Sequence, residues 1–201
     1  MDMLQEFTKR LEEDQVIASI KDPKSLDQFL NTDIQMAFLL TGNISVIKRY
    51  VDLLKKNNRF VFLHIEKIPG ISYDREGLKF IAKYVKPTGI ITTKSSLIQL
   101  AKKEGLLTIQ RLFLVDTDAV KNGLQTVNDI KPDALEVMPA LIPDMISKLK
   151  RDTNLPIITG GLVQNQLQIE AALESGAVAV STGRPWLWKT RKEDRALYIN
   201  K

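Results

Sequence analysis

Eight short apolar runs, their starts 18 to 29 residues apart, divide the 201-residue chain and predict an α/β fold. Most of the runs lack strict apolar/polar alternation, as strands covered on both faces of a parallel sheet do. Segments with helical spacing lie between them. Together these observations predict a (β/α)8 TIM barrel, a compact single domain over residues 1–201 with a basic C-terminal segment at about 189–201. Periodicity does not encode closure, so a doubly wound open sheet is the alternative. No linker, low-complexity tract or long repeat marks a second domain.

In chain order the strand runs are "VIASI" (16–20), "MAFLLTG" (36–42), "FVFLHIE" (60–66) and "GIITTK" (89–94). They continue with "LTIQRLF" (107–113), "ALEVMP" (134–139), "PIITGG" (156–161) and "AVAVSTG" (177–183). Among the helices, "NISVIKRYVDLLKKNN" places Ile44, Ile47, Val51 and Leu54 on one stripe, with Lys48, Arg49, Lys55 and Lys56 mainly outside it. "SSLIQLAKKEG" opens on serine caps and stops at Gly105. "PDMISKLKRD" has Pro143 in its first turn, where a missing amide is harmless, and "QNQLQIEAALESG" stops at Gly176.

Composition narrows the class. The chain has no cysteine, which excludes disulfides, zinc fingers and thiol nucleophiles and fits a reducing cytoplasmic setting. The amino terminus, "MDMLQEFTKRLEEDQ", is too charged for a signal peptide, and no apolar run approaches the ~18 residues of a membrane span, so no membrane partner is expected. A net charge of +5 favours polyanions or small anions without identifying either.

Two successive strand runs end in glycine, "ITGG" and "STGR". In a barrel these are β7 and β8, whose following loops commonly cradle phosphate. Glycine lets the backbone approach an anion closely, and a helix begun by "RPWLW" would add partial positive charge. Gly160, Gly161, Thr182 and Gly183 are therefore candidate phosphate contacts, with Arg184 a charged clamp. The competing reading is that these glycines only make tight turns. No Walker or dinucleotide fingerprint is present, which points to one small phosphate.

Charged residues near strand ends form the second candidate set, because charge is rare within strands. His64 and Glu66 would share a face of strand 3, as would Thr92 and Lys94 on strand 4. Arg111 and Glu136 lie on neighbouring strands, and Asp22 and Asp116 follow strands 1 and 5. These side chains suit the hydroxyls of a phosphorylated polyol or sugar; an internal ion pair between Arg111 and Glu136 is the structural alternative. His64 and Glu66 are also a candidate base and acid. The carboxylates are too scattered to specify a metal site, and no cofactor is implied. "KIPGISYDREG" is either a lid or an ordinary long loop.

Over residues 5 to 188 the sequence resembles the glycerol-3-phosphate-responsive antiterminators, the glycerol uptake operon regulatory proteins of bacteria. The resemblance rests on "HIEKIPGIS", "GIITTKSSLIQLAKKEGLLTIQRLFLVDTDAV", "PDALEVMPALIP", "LPIITGGLVQNQ" and "AVAVSTGRPWLW" in that order. It implies a regulator rather than an enzyme, with glycerol 3-phosphate as effector and leader mRNA as partner. His64, Arg111, Asp116, Glu136, Gly160 and Gly161 match the family pattern. The chain departs from it at Glu66 (usually aspartate), Ala140 (usually glycine) and Gly183 (usually serine), and in "GRPW". The alternative function is a phosphosugar isomerase or lyase using His64 and Glu66. Basic stretches at 48–59, 148–151 and 189–195 are candidate RNA surfaces. Trp186 and Trp188 suit packing, against the barrel bottom or across the interface of a homo-oligomer.

Overall fold

A computed structural model describes residues 2–189. Its strands are β1 Val16–Ile20, β2 Met36–Leu39, β3 Phe60–His64, β4 Gly89–Thr92, β5 Leu107–Phe113, β6 Ala134–Met138, β7 Ile157–Gly160 and β8 Ala179–Thr182. All neighbours pair in parallel and the sheet closes, with Ala18 of β1 in register with Ala37 on one side and Thr182 on the other. The helices are α1 Met3–Asp14, α2 Pro23–Leu30, α3 Ile47–Lys56, α4 Arg75–Phe80, α5 Ser95–Lys103, α6 Thr117–Ile130, α7 Pro143–Asp152 and α8 Gln166–Glu174. Among the described residues no helix is long and apolar enough to cross a membrane. The expected basic segment from 190 onward, including most of 189–195, lies outside the described residues.

Side chains alternate along a strand, and this period builds the interior in layers. Ile17, Phe62, Ile109, Ala134, Ile158 and Ala179 belong to one fully apolar cluster inside the barrel. Two residues further along the same strands stand Ser19, His64, Arg111, Glu136, Gly160 and Ser181. The inward face therefore changes from apolar to polar toward the C-terminal mouth. The opposite strand faces pack on the helices in a second, larger core.

The amino-terminal end is closed by α1, an element not anticipated from the sequence. Asp2 caps it and exchanges hydrogen bonds with Gln5, and Phe7 and Leu11 are buried. The Phe7 ring lies 5.0 Å from Phe62, which meets Phe38 edge-on at 6.2 Å. Trp188 does not close this end as expected. It is buried beside β8, where its indole N–H donates to the Thr182 carbonyl at 2.8 Å and its ring meets Phe29 edge-on.

Several elements are shorter than their sequence runs. Strand β3 stops at His64 and a 3-10 turn takes Ile65–Lys67. Helix α3 begins at Ile47, leaving Ile44 in the preceding loop; a Cβ on Gly70 would lie 2.7 Å from Ile44 Cγ2. Helix α5 is preceded by Lys94 and makes no side-chain cap, so the expected serine caps are absent there. Gly105 and Gly176 do take positive φ beyond α5 and α8. The segment "RPWLW" forms one 3-10 turn, Pro185–Leu187, rather than a helix.

Two outcomes follow for stability. Phe7→Ala removes the centre of the plug and is expected to cost about 3–4 kcal/mol in urea unfolding. Asp14 is buried at the end of α1, where desolvation raises its pKa to about 6 although it accepts the Gln35 N–H at 2.5 Å. The folded protein thus keeps a proton that the unfolded chain loses near the ordinary value of 3.8, so stability falls as pH rises from there to about 6. Asp14→Asn is expected to be more stable than wild type by roughly 1–2 kcal/mol at pH 7, with the advantage gone at pH 4.

Candidate functional site

At the centre of the polar layer is a buried carboxylate with both oxygens engaged. Arg111 Nε donates to Glu136 Oε2 at 2.5 Å, and Ser181 Oγ donates to Oε1 at 2.6 Å. Glu136 is fully buried and Arg111 is 5% exposed. The strands bring the ion pair together, since Arg111 and Glu136 stand in direct register on β5 and β6. A buried charge without a partner is costly, so this pairing is a condition of the layer's existence.

Gly160 completes the arrangement from β7. A Cβ there would fall inside the van der Waals surface of Ser181 Oγ and 3.3 Å from Glu136 Oε1. Its glycine thus makes room for the Ser181–Glu136 bond, and it does not line the cleft above. Gly161 has a conformational reason instead: its φ is +80°, followed by Leu162 at +62°.

Above this layer, the loops after β1, β3, β7 and β8 surround a cleft of about 710 Å³. Four cationic side chains line it, Lys21, Lys67, Arg111 and Arg184, and no aspartate or glutamate does. With Arg111 Nε committed to Glu136, its Nη groups remain for the cleft. Lys21 rests on the β8 loop: a Cβ at Gly183 would lie 3.2 Å from its Nζ. Arg184 is fastened by its Nε, which donates to the Val163 carbonyl at 3.0 Å, and its guanidinium lies 5.0 Å from the centre of the Trp186 ring. Ser19, Ser181 and Thr182 supply hydroxyls, while half-exposed Phe113 and Trp186 stand at the rim.

The sequence-derived candidates separate into three groups. Arg111, Gly161, Thr182, Gly183 and Arg184 line the cleft, with Glu136 and Gly160 directly beneath. The Thr182 hydroxyl accepts the Arg184 N–H at 3.3 Å, so part of the backbone donor set expected for phosphate is spent inside the loop.

His64 and Glu66 form a second group on the β3–β4 side. They meet across the 3-10 turn rather than by strand alternation, with His64 Nδ1 3.2 Å from Glu66 Oε2 and no hydrogen bond from either atom to another described residue. The other oxygen of Glu66 accepts from the Thr92 hydroxyl at 2.7 Å and the Thr93 N–H at 2.8 Å, with the Thr93 hydroxyl adding a third donor. Burial alone would raise this carboxyl, but His64 and the threonine donors outweigh it and hold it well below the usual carboxylate range.

The third group lies away from the cleft. Lys94 Nζ sits 4.0 Å from the centre of the Tyr73 ring. Asp116 caps α6, accepting the Ala119 N–H at 2.7 Å, and borders an apolar groove of about 480 Å³ between α6 and α7. Asp22 likewise caps α2 through Ser25, and Asp74 in the β3–α4 loop caps α4. Lys21, Lys67, Ser19 and Ser181 are the cleft residues that sequence reasoning missed. The usable signal is position: Lys21 directly follows β1 and Lys67 ends the turn after β3, at the C-terminal end of the barrel where this fold places its ligand sites.

The C-terminal mouth of this barrel thus gathers four cationic side chains and no carboxylate among its lining residues. Residues 16–188 match the family model for the glycerol-3-phosphate responsive antiterminator, and the chain belongs to that family. It is 31% identical over 183 residues to the uncharacterized protein YgcP of Escherichia coli K12, covering 91% of this chain and 96% of that one. The crystal structure of the glycerol uptake operon antiterminator regulatory protein of Listeria monocytogenes superposes with a TM-score of 0.84 at 29% identity, over 87% of this chain and 94% of that one. A glycerol uptake operon antiterminator-related protein from Thermotoga maritima gives 0.77 at 26% identity, over 86% and 96% of the two chains.

The buried pair yields a direct test. Arg111→Met strands the Glu136 charge and is expected to cost about 3–5 kcal/mol in urea unfolding. Adding Glu136→Gln removes the stranded charge and should recover at least half of that loss in a double-mutant cycle.

Proposed function

We propose that this protein is a transcription antitermination regulator that binds glycerol 3-phosphate in the mouth of its barrel and acts on leader mRNA of glycerol-utilisation genes in the cytoplasm. The observation that carries the reading is the cleft with three uncompensated cations, Lys21, Lys67 and Arg184, and no lining carboxylate, set over a neutralised Arg111–Glu136 pair. A phosphate there meets Lys21, Arg184 and the β8 loop, and charge-assisted hydrogen bonds of this kind are the strong ones. Glycerol hydroxyls suit Ser19, Ser181 and the Arg111 Nη donors. The effector favours antitermination only to the extent that it binds the RNA-competent state more tightly.

Regulation rather than turnover is favoured by the state of Glu66. A carboxylate held far below neutrality by several donors is a weak base, and neither Glu66 nor His64 lines the cleft. This weakens the isomerase or lyase reading of the same two residues.

Calorimetric titration with glycerol 3-phosphate, against glycerol and inorganic phosphate, is expected to show selective binding. Lys21→Ala should weaken it about tenfold or more, the usual loss for one charged contact. Gly161→Asp, which places a negative charge in the cleft at a strained φ, should abolish it. Absence of binding by the folded protein would overturn the effector assignment. Turnover of a phosphorylated triose that disappears in His64→Ala would replace the regulator with the enzyme.

A further inference from the structure

We infer that the face opposite the cleft is the RNA-binding surface, and that it grips the phosphate backbone of a double-stranded RNA stem. The inference rests on the antiterminator reading for the presence of RNA and adds where and in what form RNA is held.

In this barrel the helices run back against the strands, so their C-terminal ends gather at the amino-terminal face. Lys55 and Lys56 end α3, Lys83 and Lys86 lie in and just after the π-helical turn Ile81–Val85 that continues α4, and Lys102 and Lys103 end α5. Lys131 follows α6. Contacts show that these positions are neighbours. Lys55 Nζ donates to the Lys86 carbonyl at 3.0 Å, and Lys102 Nζ donates to the Lys131 carbonyl at 2.5 Å. Lys83 reaches Glu104, at the end of α5, at 3.7 Å. Seven lysines thus form one belt, and all are exposed.

Among the described residues, three carboxylates lie at the helix ends of the belt: Asp129, exposed in the last turn of α6, and the recessed Glu104 and Asp133. Glu104 and Asp133 are only 16% and 13% exposed, each 3.7 Å from a lysine, and Asp133 also accepts the Thr108 N–H and hydroxyl. The side chains of Lys56, Lys86, Lys103 and Lys131 make no ion pair or hydrogen bond among the described residues. Beside the belt a groove of about 740 Å³ is lined by Arg10, Lys55, Asn57, Asn58 and Arg59, with Glu6 its one acidic side chain.

Basic residues at helix C-termini also answer the helix dipole, so their number alone decides little. Two of them stand where a side chain is disfavoured. Lys86 has φ +58° and Lys131 φ +47°, whereas α5 and α8 use glycine beyond their ends, Gly105 at +79° and Gly176 at +105°. Gln15 after α1 and Asn58 after α3 share this conformation, so the chain tolerates a side chain there, and at Lys86 and Lys131 that side chain is an ammonium unpaired among the described residues.

The belt presents seven ammonium groups and, among the described residues, one exposed ring, that of Tyr84, too few aromatics to stack successive bases. Tyr84 beside it is stacked on Phe80 at 5.2 Å and has Lys48 Nζ 5.5 Å from its ring centre. Single-strand recognition uses exposed aromatics for base stacking, whereas an RNA duplex is held through phosphates and shape. The effector and the RNA then occupy opposite ends of the barrel and do not compete.

The test is fluorescence anisotropy with a labelled RNA hairpin whose stem is about 16 base pairs, across a salt series, in the presence of glycerol 3-phosphate. The variant Lys56→Gln, Lys86→Gly, Lys103→Gln, Lys131→Gly is expected to bind at least tenfold more weakly, with the slope of log K against log salt reduced by about 3. Its glycine substitutions relieve left-handed caps, so its thermal midpoint and its calorimetric response to glycerol 3-phosphate should remain those of wild type. A control lacking the same number of charges elsewhere, Lys24→Gln, Lys79→Gln, Lys94→Gln, Lys121→Gln, should bind RNA within about twofold of wild type. Wild-type affinity in the belt variant, an equal loss in the control, or a preference for unpaired RNA would overturn the inference while leaving the antiterminator reading intact. Failure of wild type to bind the hairpin, or tighter binding to anionic phospholipid vesicles, would overturn both.

Discussion

The mouth of the barrel depends on one carboxylate. Glu136 is fully buried, and its charge is tolerable only because Arg111 meets one oxygen and Ser181 the other. That arrangement requires strands β5, β6 and β8 in their observed register, and a residue without a side chain on β7. Low surrounding polarity strengthens each of these bonds and would equally magnify the cost of losing one. The cleft is electropositive for the same reason: the buried pair is neutral overall, so Lys21, Lys67 and Arg184 set the field above it.

The layers below explain why this polar floor stays in place. Phe38, Phe62 and Phe7 fill the barrel beneath it, and closely packed interiors of this kind do not deform continuously. A ligand of the kind proposed for the mouth would therefore act on loops and on the helices they lead into, not by sliding the core. Arg184 shows how such a loop is tied: it is held to Val163 after β7 while Trp188, four residues on, anchors to Thr182 at the end of β8.

The strands were legible because parallel strands covered on both faces read as unbroken apolar runs, and their order and spacing suffice for the barrel. Their ends were less so. "HIEK" and "TTK" continue the composition of a strand, but the chain turns after His64 and Thr92, so alternation misplaces Glu66 and Lys94. Charge at a strand end says that a residue is near the mouth; loop geometry decides whether it enters the cleft, as Arg184 does, or turns onto a neighbour, as Lys94 does onto Tyr73. Asp116 has the sequence position of a ligand contact and the job of a helix cap. Ser19 and Ser181 are small enough to pass unnoticed in a strand pattern, although the pleat points them inward. Helix α1 was hidden by its charge, since only Phe7, Leu11 and Asp14 among its residues are buried.

The missing side chain at position 160 has an evolutionary consequence. Alanine there collides with the Ser181 hydroxyl, so it is compatible only with a residue at 181 that lacks one. Losing that hydroxyl deprives Glu136 of a donor, and replacing Glu136 deprives Arg111 of its counter-charge. Positions 111, 136, 160 and 181, spread over four strands, therefore form a block in which single substitutions are incompatible with the rest. Lineages of this barrel should keep the quartet whole or exchange it together, and a chain that has exchanged it will carry a differently charged mouth.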